Sequence, residues 1–195
     1  MKKLMLAAVC GLFVASTAMG NWVLNPSFEE HEVDETWNPT EWGIAGSGVW
    51  RNDANPYSGD WHLSIDASQD PAAVQTVFDL SAFAGQEIVL SLWWAGTGGT
   101  AGNVFIGMNE RDSLGDFLAN HESTFLFSDT GVYQEHTASF TADASMDRVE
   151  IYFRTDEVDG RRFDIDEVSL VPEPGTMGLL VLGLLGVAGL RRRIK

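Results

Sequence analysis

The sequence predicts an all-β fold for residues 21–171, a two-sheet antiparallel sandwich of the jelly-roll kind. Apolar and polar residues alternate in short runs, and glycine, asparagine and aspartate interrupt these runs. Little helical periodicity accompanies them. About eight such runs fit into roughly 150 residues without a repeated motif, which favours a sandwich or jelly roll. An N-terminal signal helix and a C-terminal hydrophobic helix are expected to flank this domain.

The predicted strands can be placed in order along the chain. In WHLSID, the side chains of Trp61, Leu63 and Ile65 share one face, which predicts that they point into the core. EIVLSLWWAG places Ile88, Leu90, Leu92 and Trp94 on one face for the same reason. The other predicted strands are AVQTVF, NVFIGM, residues 133–140, RVEIYFRT and FDIDEVSLV. Asp159-Gly160 is a tight-turn signal between the last two.

Residues 1–20 have the features of a secretory signal peptide. Lys2 and Lys3 precede an apolar stretch from residue 4 to 14, and Ala18 and Gly20 provide the small residues that signal peptidase requires. A membrane anchor is the alternative, but the apolar stretch is short for a span. A lipoprotein site at Cys10 fits less well, because apolar sequence continues after it. Cleavage removes the only cysteine, so the mature domain is expected to contain no disulfide.

The charge of the chain is unevenly distributed. The chain has 12 Lys and Arg against 28 Asp and Glu, and the basic residues concentrate in the two terminal segments. A strongly acidic body repels phosphate backbones, so nucleic acid is not an expected partner. The same charge favours solubility and the binding of hard cations such as calcium. An acidic solvated surface without a specific ion is the alternative.

Residues 172–195 form a separate C-terminal segment. Pro172 and Pro174 flank Glu173 and oppose helix formation there. An uncharged stretch follows from residue 175 to 190, short of the ~20 residues that a helix needs to cross a bilayer. Snorkelling of Arg191, Arg192 and Arg193 could close this gap, and these arginines are expected to stay on the cytoplasmic side as a membrane stop.

The combination of VPEPGT, the hydrophobic stretch and RRR resembles the PEP-CTERM sorting signal of Gram-negative bacteria that make exopolysaccharide. The resemblance implies that a membrane protease, exosortase, cuts near the motif after transient anchoring in the inner membrane. Pro172, Glu173 and Pro174 would be recognition residues without a chemical role. It also implies a final location at the cell surface or in the extracellular matrix. A plain C-terminal membrane anchor is the alternative.

The body resembles the galactose-binding-like jelly rolls that include carbohydrate-binding modules. The segments that carry the resemblance are NPSFEE, YSGDWHLSID, VQTVFDLSAFAGQEIVLSLWW and DIDEVSL. In that family a structural calcium ion commonly joins the first strand to the last. The matching positions are Glu29 and Asp166, with Asp164 as a further candidate, and calcium prefers such oxygen ligands. Surface carboxylates without an ion are the alternative.

No catalytic arrangement stands out in the sequence. His62, Ser64 and Asp66 contain the residue types of a catalytic triad, but on one strand they would lie in a row without mutual contact. We therefore expect them on the solvent face of a half-buried strand and expect no enzymatic activity. A glycoside hydrolase with an unrecognised carboxylate pair stays open as an alternative, because so many acidic residues are present.

Glycan binding is the better supported function, because aromatic rings stack on sugars and polar groups bind their hydroxyls. By alternation Trp93, Phe105, Tyr152 and Arg154 point away from the core, and they would line one outer face if their strands lie in one sheet. A second candidate platform is the loop that contains Trp37 and Trp42. We expect Trp61 and Trp94 in the core. The predicted ligand is extracellular polysaccharide, and a purely structural matrix or adhesion protein without a sugar site is the alternative.

Overall fold

The computed structural model of the chain describes residues 20–45, 48–66, 72–98, 103–126, 130–156 and 161–173. Within it, Asn21–Val171 form one compact unit. The second unit, Met1–Gly20 with Pro172–Lys195, lies almost wholly outside the described residues, as do the predicted signal helix and the apolar tail. Across the described ranges, no helix has both the length and the apolar character that a membrane span requires.

The described residues form twelve strands and one short 3-10 helix. They are β1 (His31–Glu32), β2 (Glu35–Pro39), β3 (Gly43–Ala45), β4 (Val49–Asn52), β5 (His62–Asp66), β6 (Ala72–Val77), the 3-10 helix (Ser81–Phe83), β7 (Glu87–Thr97), β8 (Asn103–Arg111), β9 (Phe117–Leu126), β10 (Gln134–Thr141), β11 (Arg148–Thr155) and β12 (Arg162–Pro172). The predicted all-β fold is confirmed. The strand β9 was not predicted, because its run FLANHESTFL carries few aliphatic residues.

Two five-stranded sheets build the sandwich. The first sheet has the order β10-β7-β12-β5-β4, and the second has the order β3-β6-β11-β8-β9. Strands β1 and β2 form a small separate pair. Because β11 and β12 lie in different sheets, the Asp159-Gly160 segment connects the two sheets and does not close a hairpin. Its own residues lie outside those that the structure describes.

The core lies between the sheets and follows the predicted alternation. On β7, Ile88, Leu90 and Leu92 are at most 1% exposed, and Trp94 is 5% exposed. Strand β11 contributes its own alternating set of buried residues. Trp61 departs from the prediction, because it precedes β5 and is only half-buried, with the Arg51 guanidinium 4.1 Å from its ring centroid. The prediction that Trp61 is a core residue is therefore wrong.

The segment that would begin the mature chain bridges both sheets. The side chain of Asn21 accepts a hydrogen bond from Leu170 N (2.9 Å) and donates one to Val168 O (2.8 Å), both on β12. On β6, the side-chain amide of Gln75 accepts a hydrogen bond from Leu24 N (2.9 Å) and donates one to Leu24 O (2.8 Å). These side-chain amides replace missing ladder hydrogen bonds, so the chain from Asn21 onward is part of the folded domain.

Candidate functional site

An aromatic platform lies on the outer face of the second sheet, and we define it by Phe105, Tyr152 and Arg154. The register pairs Arg154 with Phe105 and Tyr152 with Gly107. A Cβ atom at Gly107 would lie 2.2 Å from the Tyr152 ring. The tyrosine ring therefore lies flat across the neighbouring strand because position 107 carries no side chain. The predicted outward orientation of all three platform residues is observed.

Polar groups from β9 hold the platform in place. The Tyr152 hydroxyl donates to Glu122 Oε2 (2.6 Å) and accepts from Asn120 Nδ2 (2.8 Å). Arg154 lies with its guanidinium 4.0 Å from the Phe105 ring centroid and forms an ion pair with Glu122 at 3.2 Å. Burial, followed by the hydrogen bond to Glu122, raises the pKa of Tyr152, so its hydroxyl is neutral and available as a donor.

The platform therefore combines ring faces with hydrogen-bonding groups on a rigid sheet. Glu122 and Asn120 were missed by the sequence analysis because they lie on β9, which was not predicted. Exposed and half-buried residues alternate along this strand only in the folded structure, and the letters FLANHESTFL carry no apolar–polar alternation that could have found them. Such a surface can bind a polyhydroxylated ligand, because ring faces stack on sugars and fixed polar groups bind their hydroxyls.

Trp93 does not join this platform. It lies on β7 of the first sheet, opposite Glu135 of β10, so the expectation that it shares a face with Phe105, Tyr152 and Arg154 is wrong. Alternation correctly places Trp93 on an outer face, but the sandwich has two of them. Its ring is stacked on that of Tyr57, with centroids 4.1 Å apart and an interplanar angle of 11°.

The two tryptophans of the proposed loop platform have opposite environments. Trp37, on β2, is 57% exposed and stays available for binding. Trp42 is 5% exposed, lies between Phe28 and Phe153, and donates its indole N–H to Asn25 O at 3.2 Å. Trp42 is thus a core residue, and its prediction as a glycan-binding residue is wrong. The short strands around it gave no periodic pattern from which its orientation could be derived.

Glu29 and Asp166 converge on one loop between β4 and β5. Glu29 Oε1 accepts hydrogen bonds from Asp60 N (2.9 Å) and Trp61 N (3.1 Å). Asp166 Oδ2 accepts one from Ser58 N (2.9 Å). Asp166 is 0% exposed, and this burial raises its pKa to about 6. The N-terminal segment with Glu29 and the last strand with Asp166 are therefore both hydrogen-bonded to this loop.

A glycine lets the backbone of this loop approach Glu29 closely. Gly59 has φ +57°, and a Cβ atom there would lie 2.1 Å from Glu29 Oε1. Only glycine lets the backbone approach the carboxylate this closely. Among the residues that the structure describes, no group of three or more His, Cys, Asp and Glu side chains is placed to hold a metal. An ion here would need backbone carbonyl oxygens, which calcium accepts.

Asp164 belongs to a different cluster. Ser64 Oγ donates to Asp164 Oδ1 (2.5 Å), and His62 Nε2 lies 3.1 Å from the same hydroxyl and 3.2 Å from the same carboxylate. Arg162 Nε also contacts Asp164, at 3.0 Å. His62 and Ser64 are 0% exposed, so their predicted position on a solvent face is wrong. Both faces of β5 are covered, which alternation alone cannot reveal.

This cluster is not a catalytic triad. A triad uses one imidazole nitrogen for the nucleophile and the other for the carboxylate. Here the same nitrogen of His62 contacts both Ser64 and Asp164, and His62 Nδ1 has no hydrogen-bond partner. The contacting carboxylate is that of Asp164 on another strand. The cluster is a buried polar network, whereas the sequence predicted His62 and Ser64 on a solvent face.

The sorting motif begins at the end of the last strand. Leu170 is 0% exposed, β12 extends through Pro172, and Glu173 follows. Pro174 and the predicted membrane stop at Arg191, Arg192 and Arg193 lie outside the described residues. A cavity of about 490 Å³ lies elsewhere on the domain, between the N-terminal segment and β6, and is lined in part by Trp22, Phe78 and Phe83. No residue of the predicted sites lines this cavity.

Comparison with known proteins gives two results. Residues 170–193 match the PEP-CTERM protein-sorting motif. No curated protein sequence matches the chain. The motif identifies an exported protein that is sorted at the membrane.

Several solved structures have a similar fold. They include TmCBM61 in complex with β-1,4-galactotriose (17% identity, TM-score 0.58, covering 79% of this chain and 99% of that one). The CBM22-1 xylan-binding domain from Paenibacillus barcinonensis Xyn10C is similar over 80% of this chain and 96% of its own (15% identity, TM-score 0.54). The enzymatically active domain of bacteriophage CBA120 tailspike protein 4 is similar over 78% of this chain (15% identity, TM-score 0.60), but this region is only 21% of the tailspike chain. At these identities the likeness establishes the fold alone. The chain thus carries a C-terminal PEP-CTERM protein-sorting motif behind a body with the jelly-roll fold of carbohydrate-binding modules.

Proposed function

We propose that this protein is a non-catalytic glycan-binding protein of the cell surface or extracellular polysaccharide matrix. The observation that carries the proposal is the platform, in which the Tyr152 ring and the Arg154 guanidinium, stacked over Phe105, lie beside the polar groups of Glu122 and Asn120. Aromatic faces supply the stacking surface that sugars need, and the fixed polar groups supply partners for their hydroxyls. Two neighbours of the same fold are described as bound to β-1,4-galactotriose and as xylan-binding.

The proposal includes the route to that location. Signal peptidase would cleave after Gly20, and exosortase would recognise Pro172, Glu173 and Pro174 and cut near them after transient anchoring in the inner membrane of a Gram-negative cell. The match over residues 170–193 supports the second step. Intact-mass measurement of the native protein is expected to give a chain that starts at Asn21 and ends near residues 172–175. A chain that keeps its full C-terminus in every cell fraction would contradict processing.

We also propose a structural calcium ion held by Glu29, Asp166 and backbone carbonyls of the loop at Ser58–Trp61. The ion would balance the buried carboxylate of Asp166 and fix the loop between the two ends of the chain. Its role is to stabilise the fold, and the platform lies on the other sheet.

Replacing Tyr152 with alanine tests the glycan-binding proposal. We expect affinity for the bound glycan to fall at least about fivefold, since an aromatic anchor at the centre of a binding surface commonly contributes more than about 1 kcal/mol. Binding is measured by isothermal titration calorimetry with β-1,4-galactan, xylan and the extracellular polysaccharide of the producing cell. Gly107→Ala should reduce affinity too, because its Cβ atom displaces the Tyr152 ring.

Phe117→Ala is the matched control, because Phe117 is an exposed aromatic residue on β9 outside the platform. Its affinity should equal that of the wild type. Folded Tyr152→Ala protein with unchanged affinity would refute the platform. Wild-type protein that binds none of these glycans would favour a purely structural matrix protein, and wild-type protein that degrades one of them would favour a hydrolase.

A further inference from the structure

A second group of aromatic side chains lies on the opposite side of the sandwich, on the outer face of the first sheet. We define this second face by Tyr57, Trp93 and Tyr133. Tyr57 precedes β5, stacks on Trp93 of β7, and contacts the ring of Tyr133 with centroids 5.6 Å apart. Tyr57 is 43% exposed, while the rings of Trp93 and Tyr133 are half-buried. The three rings lie at the centre of this face, because β7, β12 and β5 are its middle strands.

Two buried polar atoms at these rings are poorly satisfied: one has no hydrogen-bond partner, and the other has only a poorly formed contact with a backbone group. His62 is 0% exposed and its Nδ1 atom makes no hydrogen bond. The hydroxyl of Tyr133 is buried near the backbone of Tyr57 without a well-formed hydrogen bond. The two rings meet edge to face, with centroids 6.3 Å apart. Poorly satisfied buried polar groups destabilise a fold, so two of them below one aromatic cover require an explanation.

The charges around His62 Nδ1 and the Tyr133 hydroxyl indicate which kind of ligand group could form hydrogen bonds with them. Burial raises the pKa of Tyr133, and the negative charges of Asp164 and Asp166 raise it further. The Tyr133 hydroxyl is therefore neutral, and the two carboxylates together outweigh the positive charge of Arg162, which disfavours an approaching anion. A hydroxyl group, which both donates and accepts, matches an imidazole nitrogen and a phenol together. Uncharged sugars carry such hydroxyls beside an apolar ring face that can stack on Trp93.

We propose that Trp93, Tyr133 and His62 form a second glycan-binding surface for uncharged sugars, uncovered when the exposed ring of Tyr57 moves aside. The domain then binds two glycan chains, one on each outer face of the sandwich, and cross-links them. This inference builds on the proposed function, since the platform supplies the other binding surface. A protein with two opposed surfaces can connect separate polysaccharide chains, whereas a single surface can only coat one.

The test compares four folded proteins: wild type, Trp93→Ala, Tyr152→Ala and the double variant. Calorimetry with β-1,4-galactotriose and xylohexaose gives the number of bound chains, and light scattering of soluble galactan and xylan measures cross-linking. We expect two bound oligosaccharides for the wild type and one for each single variant. Cross-linking of the polysaccharides by each single variant should fall at least about tenfold. The double variant should bind no oligosaccharide. Polygalacturonate, the anionic control, should not bind to the second face of Tyr152→Ala.

Two further variants guard against a folding defect caused by replacing the half-buried Trp93. Tyr57→Ala removes an exposed ring and should strengthen binding at the second face, whereas Tyr57→Phe keeps the stack and should behave like the wild type. The second surface would be refuted, and the platform kept, if the wild type binds one oligosaccharide, Tyr152→Ala binds none, and Trp93→Ala and Tyr57→Ala bind as the wild type does. In that case a buried water molecule, and no sugar hydroxyl, would form the hydrogen bonds with His62 and Tyr133. Binding lost only in Trp93→Ala would refute the platform, and no binding to either glycan would refute both surfaces.

Discussion

Replacing Trp42 with alanine should destabilise the domain by about 3–5 kcal/mol, the usual cost of truncating a buried tryptophan. The indole is packed between Phe28 and Phe153 and donates a hydrogen bond to Asn25 O. Truncation leaves a cavity between the sheets and an unpaired carbonyl on the N-terminal turn. For a domain of this size we expect the melting temperature to fall by roughly 10 °C, measured by circular dichroism.

Trp37→Ala is the matched control for this substitution. Trp37 lies only five positions away and is 57% exposed, so its loss should change stability by at most about 0.5 kcal/mol. Comparing the two variants separates the contribution of a tryptophan to core packing from its contribution to glycan binding. A Trp42→Ala protein of unchanged stability that has lost glycan affinity would contradict the placement of Trp42 in the core.

Removing calcium is expected to have the second largest effect. A ligand present at about 1,000 times its dissociation constant stabilises the folded state by roughly 4 kcal/mol, so EDTA should lower the melting temperature clearly. Thermal unfolding with and without EDTA at pH 7 measures this. An identical melting curve in both conditions would contradict a tight site at Glu29 and Asp166.

The pH dependence of the free energy of unfolding tests the proposed calcium site independently. The pKa of Asp166 is raised to about 6 from an ordinary value of 3.8, so in the absence of an ion the folded state favours the protonated carboxyl. This contribution to stability is present below pH 3.8 and is lost as the pH rises through 6, at a cost of about 3 kcal/mol. With EDTA, other carboxylates aside, we therefore expect wild-type protein to lose stability between pH 4 and 7.

Calcium should reverse this trend, because the ion binds the ionised carboxylate and protons compete with it below pH 6. The stabilisation by calcium should thus be larger at pH 7 than at pH 5. Asp166→Asn serves as the control, since its side chain cannot ionise. Its stability should depend less on pH than that of the wild type and should not respond to calcium. A calcium effect of equal size in this variant would place the ion elsewhere.

Much of the candidate site could be read from alternation along single strands. Phe105, Tyr152 and Arg154 were placed on an outer face from the two-residue period of β8 and β11, and the pairing of these strands brings them together. Trp93 satisfied the same rule and still lies on the other sheet. Alternation tells whether a side chain points inward or outward, but which outer face it reaches depends on strand order, which long-range pairing decides.

Burial at β5 and at Trp42 likewise required the tertiary structure. His62 and Ser64 alternate with Leu63 as solvent-facing residues would, yet the distant Tyr133 ring lies against His62 and the distant Asp164 accepts a hydrogen bond from Ser64. Trp42 precedes a three-residue strand, which is too short to establish a period. In both cases the deciding contacts come from residues far away in the chain.

By itself, the sequence determined the all-β class, the acidic exported character and the sorting motif at residues 170–193, because composition, short periodicities and contiguous motifs are local properties. The tertiary structure alone decided that the outward aromatic residues divide between two opposite faces, and that the loop between β4 and β5 joins Glu29 to Asp166. The physical reason is that side-chain proximity across a sandwich follows from how strands separated by up to 100 or more residues pack and pair, as Ser64 and Asp164 do.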